Sequence, residues 1–168
     1  MMKKTLAIIT FASFLFATSN LLVWAADTGS VTATVTVQNI SVSISDGTVT
    51  YGTLSNNATA DTTSGGLNDS QTATNDGNVT ENFNIRGANS ASWTLAGTNG
   101  SDIYRHRFCT SDCDGTPTWN ALTTSYQTLA TGVATSGNQV FDLEIQTPNP
   151  STVYTQQSVD VTVQAVAN

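Results

Sequence analysis

Beyond residue 30, apolar and polar residues alternate with a period of two along most of the chain, the pattern of strands that bury one face. Val31, Ala33, Val35 and Val37 face one way and Thr32, Thr34 and Thr36 the other, and Ile40, Val42 and Ile44 continue the alternation past Asn39. Asp46-Gly47 predicts a turn that returns residues 48–54 as a hairpin partner. Further strands are predicted at residues 79–86, 92–96, 103–109, 140–146 and 159–165, with weaker ones near 119–122 and 126–129. Residues 55–78 break the pattern. They are rich in Asn, Thr, Ser, Gly and Asp with Leu67 as the one large apolar residue, and read as an exposed loop or a meander of weak strands.

About seven to nine short strands separated by Gly, Asn and Asp turns predict an all-β chain: one antiparallel β-sandwich, Ig-like or pilin-like, occupying residues 26–168. The inward positions of these strands give the expected core. It comprises Val35, Val37, Val42, Ile44, Leu54, Phe83, Ile85, Trp93, Leu95, Phe108, Phe141, Leu143, Ile145, Val159, Val161 and Val163.

The first residues follow another logic. Met1-Met2-Lys3-Lys4 is a short positive stretch, residues 6–16 are apolar, and Val23-Trp24-Ala25 ends the stretch in small-residue character, so residues 1–25 are expected to be a signal peptide cleaved before Ala26. Residues 6–26 are long enough to span a bilayer, but Thr18, Ser19 and Asn20 interrupt them and the ending fits cleavage better than arrest. The exported chain is then secreted, extracellular or at the cell surface, with no membrane insertion after cleavage. No cysteine stands at the cleavage site to carry a lipid anchor.

Charge narrows the partners. Lys3 and Lys4 leave with the leader, so Arg86, Arg105 and Arg107 face twelve carboxylates, a side-chain charge of about −9. Nucleic acid is excluded as a partner, because phosphate binding needs clustered Lys and Arg. An isopeptide cross-link is excluded too, since it needs a lysine.

Candidate chemistry is sparse. His106, the single histidine, shares a strand face with Tyr104 and Phe108 and reads as a half-buried packing residue. No Gly-x-Ser-x-Gly motif accompanies it, which argues against a serine hydrolase. Asp142 and Glu144 lie on one strand face about 7 Å apart. That separation suits a pair of glycosidase carboxylates, but Phe141, Leu143 and Ile145 hold the core face and a solvated pair is the simpler expectation. Cys109 and Cys113 predict a disulfide across a tight loop in an exported chain. The alternative for the same residues is a metal site with His106 and Asp112 or Asp114. Asp61, Asp69 and Asp76 offer oxygens for calcium, although Asn75-Asp76-Gly77-Asn78 is more simply a turn. No cofactor or metal is expected. Tyr51, Trp119, Tyr126 and Tyr154 are candidate platforms for stacking on a glycan.

The order of elements, with Phe83-Asn84-Ile85, Ser92-Trp93-Thr94-Leu95 and the closing run from Ser158 to Val163, resembles small secreted bacterial surface sandwiches. Trp93-Thr94-Leu95 is similar to the motif of the Trp-x-Leu wall-binding domains, with one such motif here where that family has two. The layout also resembles pilin subunits completed by a neighbour's strand. The resemblance implies an exported, non-enzymatic structural or interaction protein of the surface or matrix. Independently of it, the alternating apolar face of Val31, Ala33, Val35 and Val37 either completes the chain's own sheet, the simpler expectation, or adds to the edge of a neighbouring subunit, as in a filament subunit built by strand addition. Partners are then other copies or other surface proteins. The alternatives are a module binding wall glycan or other carbohydrate and, third, a small secreted hydrolase.

Overall fold

The computed structural model describes residues 27–168, and the leader expected at residues 1–25 lies outside them. The chain divides between Val35 and Thr36 into two units. In the first, the described residues 27–35 form no strand and are exposed, Val31 at 94% and Val35 at 90%.

The second unit holds ten strands and, among the described residues, no helix. They are β1 (Val42–Ile44), β2 (Thr59–Asp61), β3 (Gln71–Asn75), β4 (Glu81–Arg86), β5 (Thr94–Leu95), β6 (Ile103–Cys109), β7 (Asn120–Ala121), β8 (Gln127–Val133), β9 (Asn138–Gln146) and β10 (Thr162–Ala167). One sheet has seven strands in the order β1-β3-β9-β6-β5, with β2 also beside β9 and β7 beside β6; the other has the order β10-β4-β8. The β5–β6 pair is parallel and the remaining pairs antiparallel. The result is all-β and sandwich-like. Phe83 and Ile85 from β4 and Leu129 and Val133 from β8 pack with Tyr104, Phe108, Phe141, Leu143 and Ile145 of the larger sheet in one core.

Strand β9 is the hub. Its first half pairs with β3, from Thr74↔Asn138 to Gln71↔Phe141, and its second half pairs with β2, from Asp61↔Glu144 to Thr59↔Gln146. Strand β6 takes the other edge. Residues 55–78 are therefore not an exposed loop: they supply β2 and β3 and bury Thr62, Gln71, Ala73 and Asn75. Polar residues can be buried there because each has partners. Thr62 Oγ1 donates to Asp142 Oδ1 at 2.8 Å and accepts from the Leu143 amide at 2.9 Å. Asn75 Nδ2 donates to the carbonyls of Val79 and Val133 at 2.8 and 2.9 Å.

This cover also corrects the expectation of a solvated Asp142–Glu144 face, since the two residues are 4% and 6% exposed. Asp142 accepts from Thr62 and, at 2.7 Å, from Ser70. Glu144 accepts from Arg107 Nε at 2.7 Å and lies 3.5 Å from Arg105 Nη2. Removing the carboxylate would leave two guanidinium groups facing each other without a counter-charge. Because both arginine side chains keep between a fifth and a quarter of their exposure, the cost is below that of a fully buried pair. Glu144→Ala is expected to lower stability by about 2 kcal/mol and Glu144→Gln by less, read as the shift of the urea midpoint.

Two further expectations fail together. Residues 31–37 form no strand, and Val35 and Val37, the latter 82% exposed, are not core. The other expected core residues are buried or pack against the core. The Asp46-Gly47 turn does form, with the Thr48 amide donating to Asp46 Oδ1 at 2.7 Å and Gly47 at φ +72°. Residues 48–54 nevertheless join no ladder. Their strand pattern survives as half-buried Val49, Tyr51 and Leu54 alternating with exposed neighbours.

Candidate functional site

Strand β1 is an edge of the larger sheet and β10 an edge of the smaller one. Beside these edges lies a cleft of about 290 Å³ lined by Ile44, Gly47, Val49, Tyr51, Gln71, His106, Phe141, Leu143, Val159, Asp160, Val161 and Val163. Val49 and Tyr51 point into it from one segment, and Val159 and Val161 from another, with exposed Thr50 and Asp160 between them. Both segments have the two-residue period of strands. Yet among the described residues neither 49–54 nor 158–161 makes a backbone-to-backbone hydrogen bond. Strand-patterned walls without a ladder leave N–H and C=O groups for an added chain to pair with.

Gln71 ties the cleft to the turn above it. Its Oε1 accepts from the Gly47 amide at 3.2 Å, while Nε2 donates to Asp69 Oδ1 at 3.1 Å. Deeper in the cleft stands His106, 2% exposed rather than half-buried. Its Nε2 lies 3.0 Å from the Tyr51 hydroxyl, and its Nδ1 is buried without a hydrogen-bond partner among the described residues. Burial pushes the imidazole down to a pKa of about 4, because a charged ring would lose its hydration. Burial also raises the Tyr51 hydroxyl, helped by the negative charges of Asp61, Asp69, Glu144 and Asp142. At neutral pH the pair is thus an uncharged hydrogen bond within an apolar cleft, suited to packing and not to taking a proton from a nucleophile.

The other candidates are dispersed. Cys109 and Cys113 stand at disulfide distance, with Cα atoms 5.8 Å apart. The metal alternative therefore loses its thiolates, and His106 faces the cleft. Among the described residues no group of three or more His, Cys, Asp or Glu side chains is arranged to hold a metal ion. Asp61 accepts from Thr63, Asp69 from Gln71, and Asp114 from the Ser64 amide, so each braces a loop. The four aromatics occupy separate surroundings. Tyr51 is in the cleft, Trp119 has Arg107 at 5.7 Å from its ring centre, Tyr126 has Arg86 at 4.7 Å, and Tyr154 is 82% exposed.

The alternation marks half of the residues lining the cleft, Ile44, Phe141, Leu143, Val159, Val161 and Val163, but as parts of a closed core. The missing signal is pairing: alternation marks Val159 and Val161 as inward-facing without saying that no strand lies beside them. Comparison with protein-family models, with curated proteins and with solved structures finds no match for this chain.

Proposed function

We propose that this chain is an exported, non-enzymatic structural component of the cell surface or extracellular matrix, a subunit that associates with copies of itself by strand addition. The reading rests on one juxtaposition. A strand-patterned segment, Val31 to Val37, is exposed and, among the described residues, in no strand ladder, and the same chain has a cleft of mixed apolar and polar lining whose strand-patterned walls are unpaired among those residues. Exposed valines at alternate positions are a liability in an isolated molecule and a recognition element in an assembled one.

The occupant we assign to the cleft is the segment Val31 to Val37 of a second copy. In an extended chain, side chains two residues apart project about 7 Å apart on one face. The inward residues of both walls repeat with that spacing, so Val31, Ala33, Val35 and Val37 match the cleft in period and in apolar character. Threonines 32, 34 and 36 would face solvent. Backbone pairing supplies affinity and the small apolar pockets supply register. This is the pilin-like form of the sandwich. The enzymatic reading has less support, because His106, Asp142 and Glu144 each serve an internal contact.

The test is negative-stain microscopy at neutral pH of the chain beginning at Ala26, beside one lacking residues 26–38. Filaments are expected from the first and single particles from the second. Uniform single particles from both would sink the reading.

A further inference from the structure

We infer that the corner at Asn78 and Glu81 commits the N-terminal arm to a second copy by holding its root straight, an inference that rests on the strand-addition reading above. The root, residues 37–41, is bonded along one edge at alternate positions. Asn78 Nδ2 donates to the Val37 carbonyl at 2.9 Å, Asn78 Oδ1 accepts from the Asn39 amide at 2.8 Å, and the Asn78 amide donates to the Asn39 carbonyl at 3.1 Å. Two residues on, the Ser41 amide donates to Glu81 Oε1 at 2.9 Å and its carbonyl accepts from the Asp76 amide at 2.9 Å. Bonds from residues 37, 39 and 41 to one side require an extended backbone that continues the β1–β3 register, in which Val42 pairs with Asn75.

Glu81 is fully buried, and its Oε1 meets the Ser41 amide while its Oε2 has no hydrogen-bond partner among the described residues. Gly77 lets the root come close to it, since a Cβ there would collide with both Glu81 Oε1 and the Asn39 carbonyl.

Straightness at this place decides between two destinations. Ile44 of β1 lines the cleft, so an arm entering its own cleft would have to run beside the segment it leads into. Two strands joined by so short a connection can only be antiparallel, which demands a hairpin within residues 37–41. The hairpin would break the bonds at Val37, Asn39 and Ser41. Insertion into another copy leaves them intact, and so the clamp favours a chain of subunits over a self-closed monomer.

The experiment places Ala33→Cys and Val161→Cys in one chain beginning at Ala26, oxidises it, and separates the products on a non-reducing gel. With Asn78 present, bridges between chains and a ladder of multimers are expected. Adding Asn78→Ala, a substitution at an exposed turn residue, is expected to raise the self-closed monomer roughly tenfold while lowering the melting temperature by no more than a few degrees. Asn78→Asp keeps the acceptor for Asn39 but loses the donor to Val37, and is expected to fall between the two. A self-closed monomer already dominant with Asn78 present overturns the clamp while leaving strand addition standing, as does a ladder that Asn78→Ala leaves unchanged. Failure to form any bridge between positions 33 and 161 in all three chains overturns both.

Discussion

Acidification from pH 6.5 to about 4 is expected to remove roughly 3 kcal/mol of stability through His106 alone, and His106→Gln should remove that part of the pH dependence. The sign follows from the protons bound in each state. The folded imidazole stays neutral down to about pH 4 because it is buried, whereas in the unfolded chain it takes a proton near pH 6.5. Within that window the unfolded state binds more protons, so the contribution is complete above pH 6.5 and is lost as the pH falls. A charged ring would also present an N–H at Nδ1 to surroundings that offer it no acceptor.

Tyr51, Tyr104 and Asp160 stand around His106 and the cleft, with Asp61, Asp69, Asp142 and Glu144 near enough to act on Tyr51, and neither tyrosine ionises in this range because burial raises both. A glutamine amide in place of the imidazole can still meet the Tyr51 hydroxyl, so the variant separates the proton from the packing. The measurement is the urea midpoint at several pH values for both chains. Parallel curves would show that His106 does not couple folding to pH.

The legible part of this protein was its apolar alternation. Residues 103–109 were readable to the residue, and β4, β9 and most of β10 were readable within a few positions, because Phe83, Ile85, Phe141, Leu143 and Ile145 alternate and are buried on one face. Strands β2 and β3 are legible only as one of two alternatives, a meander of weak strands as against an exposed loop, for the complementary reason. Thr59–Asp61 and Gln71–Asn75 contain no large apolar residue, and what fixes them is a set of side-chain hydrogen bonds whose partners lie dozens of residues away, such as Thr62 with Asp142. The burial of Asp142 follows from the same cover, through Thr62 and Ser70, whereas Glu144 is held by Arg105 and Arg107 of β6.

The candidate site failed differently. Alternation marks every apolar residue on its walls as inward-facing except Tyr51 and Val49. But periodicity describes one segment at a time, and an open cleft is a relation between segments. The arm shows the limit most plainly. Val31 to Val37 is the cleanest strand pattern in the chain and yet, like residues 48–54, finds no strand beside it among the described residues. A sequence can state that a segment prefers to be a strand; the pairing that satisfies it can belong to another molecule.

Val161→Arg puts a charge on the cleft wall, where the half-buried valine now stands among the apolar side chains of the cleft. In the free subunit the long side chain can carry its guanidinium to water along the open cleft, so the melting temperature should change little. With an arm inserted that route closes, and the charge would be stranded against Val31, Ala33, Val35 or Val37. Assembly is expected to weaken by roughly a hundredfold or more, read as the concentration at which filaments first appear.

Leu67→Arg is the control, since Leu67 is exposed outside the cleft and should leave filaments as they were. Val35→Asp on the arm should reproduce the loss from the donor side. If Val161→Arg assembled like the unaltered chain while Val35→Asp did not, the arm would still be the donor but its seat would lie on another edge, β5 or β8, each of which ends its sheet without a further strand beside it.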